Sequence, residues 1–298
     1  MQITNINNLP DAIVRAIKND SYDRGDSDYT ATELISPPRQ LALKKRHKHE
    51  ITEDAEDCLY RLYGKIAHKL LEDANDIDLA EKRFFMQIAG FKISAQIDTL
   101  AIHDGLLSDY KFTSSWSFMA DKEAKDDWTA QMNIQDLLVS RNGYKVESLR
   151  IVGLLRDWKP RDAKRNPKFP QSPIQIMPIE KWGKDKTTEY IEERIRIHEA
   201  SKTMTILPRC SAADRWAKPS LYAVMKGERA VKGGVKASME EAKALLDQTP
   251  NARIEVRPGE NIRCENYCSV SEFCSQFKMM KNNKPIEREN SDERICNA

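Results

Sequence analysis

Apolar and polar residues recur along the chain with two different periods, and the change of period marks its organisation. Over 53–73, Ala55, Leu59, Leu62, Ile66 and Leu70 are spaced by three and four, the repeat of a helix with one apolar face, which is expected to lie on a core. At about 100° per residue, His68 falls nearly opposite that stripe, close to the direction of Gly64, so it faces solvent or a cleft. From 83 to 112 the period drops to two, as in strands buried on one face. Phe91, Ile93, Ala95 and Ile97 alternate with Lys92, Ser94, Gln96 and Asp98, and Asp104-Gly105 supplies a turn. The run LLSDYKF then puts Asp109 and Lys111 on one face and Tyr110 and Phe112 on the other. Residues 121–140, which include Gln131, predict a helix. LRIVGLL at 149–155 predicts a buried strand, and 185–202 a further helix.

The flanks read differently. Residues 1–50 hold a short amphipathic helix around Ala12–Lys18, a polar Asp-rich stretch, and a helix closed by Lys44, Lys45, Arg46 and Lys48. Residues 156–173 form a proline-punctuated loop. YAVMK, RAVKGGVK, SMEEAKALLDQ and RIEVR make a small unit of two strands, a helix and a strand between Cys210 and Cys264. After Cys274 the charged chain is expected to fray. The expected division is an N-terminal helical segment (1–50), an α/β core (51–205), a cysteine-bearing α+β module (206–278) and a flexible tail (279–298).

Composition narrows the function. The 298 residues balance 48 Lys+Arg against 46 Asp+Glu, a net charge of +2, so any basic surface must be local. No window reaches the roughly 18 apolar residues of a membrane span, which argues against a membrane. The N-terminus has neither the basic nor the apolar stretch of a secretory signal, and six cysteines are too sparse for a disulfide scaffold. A cytoplasmic, reducing setting is expected.

The strongest candidate chemistry is Asp98 followed by Asp109-Tyr110-Lys111. Carboxylates reaching from adjacent strands can hold a divalent metal through oxygen while leaving positions open to water and phosphate. A lysine two residues on, on the same face, can orient a nucleophile or stabilise developing charge. By spacing alone, a solvated polar strand face is the commoner explanation, and His68 by itself reads as a surface histidine on a polar helix face.

The order Gly64-x-x-x-His68, Glu81, Asp98, Asp109-x-Lys111 and Gln131 resembles the PD-(D/E)XK nuclease superfamily, in particular its RecB-like branch with the CRISPR-associated exonucleases and their phage-encoded relatives. The resemblance covers about residues 30–278. It implies a restriction-endonuclease-like α/β core, a mixed central sheet flanked by helices. It also implies Mg²⁺ or Mn²⁺ bound by Asp98, Asp109 and the Tyr110 carbonyl, with His68 as a further ligand or a phosphate contact, Glu81 as an additional candidate ligand, Lys111 as the catalytic lysine and Gln131 as a catalytic residue that matches the first position of the family's Gln-x-x-x-Tyr motif. Two positions depart from the family pattern. Gln135 stands where the family's Gln-x-x-x-Tyr motif has its tyrosine, and Ala95 replaces a glycine three residues before the aspartate.

Cys264, Cys268 and Cys274 fall within eleven residues, a spacing that suits an iron–sulfur cluster or zinc. By the same resemblance they match the C-terminal half of a [4Fe–4S] site. The family's N-terminal Cys-Pro-Arg reads Pro37-Pro38-Arg39 here, and Cys210 is the substitute expected as fourth ligand, ahead of Cys58 and Cys296. Buried free thiols are the plain alternative.

Finally, Arg156, Lys159, Arg161, Lys164, Arg165 and Lys168, with Trp158 and Phe169 among them, are either a solvated face or the wall of a DNA groove. Together these features and the resemblance predict a metal-dependent DNA exonuclease acting on single strands or ends; the resemblance alone implies a setting in phage or bacterial recombination or repair, where an annealing protein or a helicase is a candidate partner. Two competing readings are a non-catalytic DNA-end or single-strand binding protein of the same fold and a zinc-stabilised interaction module.

Overall fold

The computed structural model describes residues 2–19, 23–74 and 79–282. Most of the expected tail, with Cys296, lies outside the described residues. Contacts divide the chain into two units, one of residues up to 42 with 48–207, the other of 43–47 with those from 208 on.

Up to residue 207 the elements run β1 (Gln2–Thr4), α1 (Asp11–Lys18), β2 (Tyr29–Thr30), α2 (Ala31–Ile35), α3 (Pro38–Arg46, whose residues from 43 on belong to the second unit), β3 (Thr52–Asp54), α4 (Leu59–Asp73), β4 (Leu79–Ala80), β5 (Arg83–Ile88), β6 (Phe91–Gln96), β7 (Thr99–Ala101), β8 (Leu106–Thr113), α5 (Asp126–Arg141), β9 (Ser148–Leu155), α6 (Pro160–Arg165), β10 (Ile174–Ile179) and α7 (Lys184–Thr203). Among the described residues the main sheet has the order β10-β9-β8-β7-β4, and a smaller sheet the order β2-β6-β5. Strands β8 and β9 are parallel, with Asp109 opposite Ile151 and Lys111 opposite Gly153, and α5 makes the crossover that parallel neighbours require. The architecture is α/β, with mixed sheets flanked by helices. No described helix is long and apolar enough to cross a membrane.

Helix α5 organises the core. Met132, Ile134, Leu138 and Val139 are fully buried, as are Leu107 and Ile151 of the strands they meet. Residues 132–139 are buried on every side of the helix, so this stretch is enclosed rather than laid on a surface. Among its polar members, the Asn133 side chain donates to the Glu180 carbonyl (2.9 Å) and accepts from the Trp182 amide (2.6 Å), as burial of an amide demands.

The pairs β4–β5 and β6–β7 form one bent ribbon shared by the two sheets. At the bend, Glu81 N–H donates to the Asp98 carbonyl and Ile97 N–H to the Lys82 carbonyl, both at 3.0 Å. Glu81 takes a left-handed backbone there, φ 48°, a costly state for a side chain with a Cβ.

Several expectations change. The stripe of α4 meets a core only at its start: Ala55, which precedes the helix, is buried in a small cluster against which Leu62 packs, while Leu59, Ile66 and Leu70 are exposed. Tyr63 meets Phe112 of β8 edge-on at 5.8 Å. Residues 1–50 are not a separate helical segment, because Tyr29, Ala31, Leu34 and Leu41 enter the main core and β2 pairs with β6. The loop 156–173 contains α6, which starts with Pro160 in the first turn where a missing N–H costs nothing. Strand β10 gave no sequence signal: as a sheet edge it tolerates Pro178 and leaves Ile174 and Ile176 exposed.

The second unit has β11 (Ala217–Lys218), β12 (Leu221–Lys226), β13 (Arg229–Lys236), α8 (Met239–Asp247), β14 (Arg253–Arg257), β15 (Glu260–Asn261), α9 (Ile262–Asn266) and α10 (Ser275–Asn282). Strands β13-β12-β14 form an antiparallel sheet, and Ser238 caps α8 by accepting from Glu241 N–H. Residues 275–282, expected to fray, form α10.

Gly153 in β9 is required by close approach: a Cβ there would stand 2.4 Å from the Phe118 ring. Gly153→Ala should therefore lose about 1–3 kcal/mol of stability, read as a lowered urea midpoint. Adding Phe118→Leu should recover part of it, as expected of residues in contact.

Candidate active site

Three elements and a bend bring the candidate residues together. His68 reaches inward from α4, with Nδ1 3.2 Å from Glu81 Oε1 and 3.6 Å from Asp98 Oδ1. Glu81 and Asp98 come from the two sides of the ribbon bend, where the break in pairing turns their side chains out of the sheet ladder. Ligand atoms of His68, Glu81 and Asp98 all lie within 4.8 Å of one another. Tyr110, expected to present its carbonyl, meets the site through its amide, which donates to Asp98 Oδ2 at 2.6 Å.

A second set adjoins the first. Asp109 is buried in β8, with Lys111 Nζ 2.8 Å from its Oδ2. Gln131, one turn into α5, donates through Nε2 to Asp109 Oδ1 (2.9 Å) and accepts from Lys111 Nζ at Oε1 (3.1 Å). Asp109, Lys111 and Gln131 thus close a triangle of charge and amide. The β8 alternation supplies two corners and the α5 crossover the third.

Electrostatics match this geometry. Burial, and then the Asp109 carboxylate, push the Asp98 carboxyl up to about 8, against the opposing pull of His68 and Lys111. His68 is held more basic than an ordinary imidazole by its hydrogen bond to Glu81, with Asp98 and Asp109 adding to it and burial opposing. Burial works against the Lys111 ammonium too, but Asp109 outweighs it, so the amine stays protonated. Asp109 Oδ2 is buried, and the Lys111 ammonium 2.8 Å away is its partner. Carboxylate oxygens with one imidazole nitrogen are the donor set of a hard divalent cation such as Mg²⁺ or Mn²⁺.

Two supporting residues escape a reading by motif. Gln96 Nε2 donates to Glu81 Oε2 (2.6 Å). Gln135 Nε2, buried on α5, donates to the Gln96 carbonyl (2.9 Å). Gln96 was legible as a member of the polar row that ends in Asp98. Gln135, one helical turn after Gln131, holds the strand that carries Gln96.

The basic segment is only partly as expected. Lys159, Arg161, Lys164, Arg165 and Lys168 are exposed, with Arg161 3.6 Å from Asp162 and Lys168 4.0 Å from Asp121. Arg156 lies over the Tyr60 ring, 4.2 Å from its centroid. Trp158 is not offered for stacking: its ring packs on the main core and its indole N–H donates to the Pro170 carbonyl (2.7 Å). Phe169 is half-buried.

In the second unit, Cys264, Cys268 and Cys274 are close enough to interact. Burial first, then the Cys268 and Cys274 sulfurs, push the Cys264 thiol up to about 11, and burial with Cys274 raises Cys268, opposed by Arg263 and Lys44. Gln276, in α10 just after Cys274, accepts from Cys210 N–H (2.8 Å) and donates to the Cys210 carbonyl (2.9 Å). The four sequence-predicted cysteines therefore share one region of this unit. Cys58, by contrast, is buried in a small cluster with Val14, Ile17 and Ala55, where Arg61 donates to its sulfur.

No protein-family model matches the chain, and no curated protein does. Among solved structures the chain is similar to the crystal structure of SSO0001, with 16% identity, a TM-score of 0.42, and coverage of 62% of this chain and 84% of that one.

The raised Asp98 carboxyl has a consequence for stability. Its folded value of about 8 lies above the unfolded value of about 3.9, so without metal this group withdraws stability as pH rises between the two. Asp98→Asn, which keeps an acceptor for Tyr110 N–H, should raise the melting temperature of the metal-free protein at pH 8 and change it little at pH 4. It should also abolish the upward shift that Mn²⁺ gives the wild type. Lower stability of the variant at pH 8 would refute this account of the site.

Proposed function

We propose that the protein is a metal-dependent deoxyribonuclease, an exonuclease of the RecB-like type that hydrolyses phosphodiester bonds of single strands or DNA ends. The observation that carries this reading is the convergence of His68, Glu81 and Asp98 beside the Asp109–Lys111–Gln131 triangle. The resemblance in the order of these same residues along the chain supports it. His68, Glu81, Asp98 and Asp109 would hold Mg²⁺ or Mn²⁺, which when bound would neutralise the scissile phosphate and lower the pKa of a water. Lys111, kept charged by Asp109, is placed to hydrogen-bond the attacking water or a non-bridging phosphate oxygen. Gln131 fixes both partners, so the ammonium meets its target without reorganising. Gln96 and Gln135 hold the Glu81 carboxylate and the strand behind it.

In the second unit, Cys210, Cys264, Cys268 and Cys274 would hold a [4Fe–4S] cluster with a structural role. The mutual repulsion of thiolates in a half-buried place is the cost that a bound cluster, or zinc in its stead, would relieve. Exposed Lys159, Arg161, Lys164, Arg165 and Lys168 supply a basic surface for DNA backbone. The proposed setting, the cytoplasm of a bacterium or an infected cell, in recombination or repair beside an annealing protein or helicase, rests on the family resemblance.

Asp109→Ala and Lys111→Ala should each lower Mn²⁺-dependent digestion of end-labelled single-stranded DNA by at least about a hundredfold while leaving binding in EDTA within a few-fold. Cutting at the wild-type rate by either variant would refute the site. The anaerobically purified protein should be brown, with iron rather than zinc on metal analysis. Cys268→Ala should lose the visible absorption and melt at a lower temperature. A brown protein that binds but never cuts DNA would instead be an end-binding protein.

A further inference from the structure

The exposed side of α4 is aromatic where it approaches the active site. Tyr60 and Tyr63 are 51% and 42% exposed, and they are not scattered. Their ring centroids lie 6.5 Å apart, edge-on, and Tyr63 meets Phe112, the residue after Lys111 in β8. The Arg156 guanidinium lies over Tyr60.

Tyr60, Gly64 and His68 succeed one another by four residues, neighbours along the helix surface. At about 1.5 Å per residue, Tyr60 stands roughly 12 Å along the axis from His68. Between them the helix is bare. A Cβ on Gly64 would meet nothing within 4 Å, so no packing requires glycine there, although glycine is poorer than alanine in a helix. Clearance for something that passes over this turn is a physical use for it.

We propose that this strip holds an unpaired nucleic-acid strand, with bases stacked on Tyr60 and Tyr63, a phosphate on Arg156, and the bare turn at Gly64 leading the strand to the carboxylates. The inference rests on the nuclease reading and deepens it, from DNA in general to single strands. Every base offers a π-face, so exposed aromatic rings bind single strands without regard to sequence, and an arginine beside them adds both charge and a stacking plane. Paired bases are stacked within the duplex and keep those faces to themselves, so the strip selects the unpaired strand.

The test is binding of a fluorescent oligothymidylate to the full chain in EDTA, followed by Mn²⁺-dependent digestion. Tyr60→Ala with Tyr63→Ala should weaken binding by roughly tenfold or more. Tyr60→Trp with Tyr63→Trp should keep it, whereas Tyr60→Leu with Tyr63→Leu, which preserves apolar bulk and guards against misfolding, should lose it. Gly64→Leu should slow digestion of single strands with the Mn²⁺-induced melting shift unchanged, and Gly64→Ala should cost little. The inference falls if the alanine or leucine pairs bind and cut like the wild type. It also falls if they dissolve a dimer seen by light scattering while strand affinity stays constant, for then a second copy of the chain covers this face, which also exposes Leu59, Ile66 and Leu70. A wild type that cuts duplex ends but not single strands overturns this inference alone. A wild type inert on all DNA overturns the nuclease reading with it.

Discussion

Two acids, Asp98 and Asp109, are taken out of water near enough that the charge of one raises the cost of ionising the other. Buried like charges are tolerated only where partners offset them, and the surrounding elements supply those partners. Helix α4 brings His68 to one side, and β8 places Lys111 two residues beyond Asp109 on the same face. Helix α5 inserts Gln131 between lysine and carboxylate. Even so, Asp98 remains hard to ionise. The protein's own cations do not complete the site, which is the physical case for a metal there.

Backbone geometry makes this concentration of charge possible. Where the ribbon passes from one sheet to the other, regular pairing breaks on both strands, and Glu81 and Asp98 stand at the two sides of the break, joined by a main-chain hydrogen bond. The left-handed backbone of Glu81 is the local cost of that turn. The enclosed α5 offsets it globally, since each fully buried aliphatic side chain contributes about 1.5–3 kcal/mol. The same helix carries Gln131 and Gln135 on successive turns, so the element that stabilises the core also aligns the site.

The second unit follows a different logic. Its sheet and α8 bury few large side chains, with Ala223, Val224, Met225 and Ala242 at the centre, and its cysteines lie together with Arg215, Arg263 and Lys44 near them. A core this small gains from a cross-link of metal or cluster. Such a link would tie the Cys210 segment to the last helices, as the Gln276 hydrogen bonds already begin to do.

The amino-acid sequence by itself determined the period-two strands, the helix within 121–140, the buried strand at 149–155, the helix at 185–202 and the Asp109/Lys111 face, because strand alternation and helix periodicity are local properties of neighbouring residues. It also ordered His68, Glu81, Asp98 and Gln131 along the chain, and the fold brings them to one place. Tertiary structure alone decided the rest. The stripe of α4 read as core because periodicity reports amphipathicity without saying which side another element will cover. His68 turns toward the carboxylates, while Leu59, Ile66 and Leu70 of the stripe are left outside. Trp158 read as an exposed base-stacking ring because a proline-rich loop hides no hydrophobic pattern, yet its indole closes onto the core. Strand β10, the bend at Glu81 and the buried bridge from Gln135 to Gln96 left no local trace, since each depends on a partner distant in sequence that only the folded chain brings near.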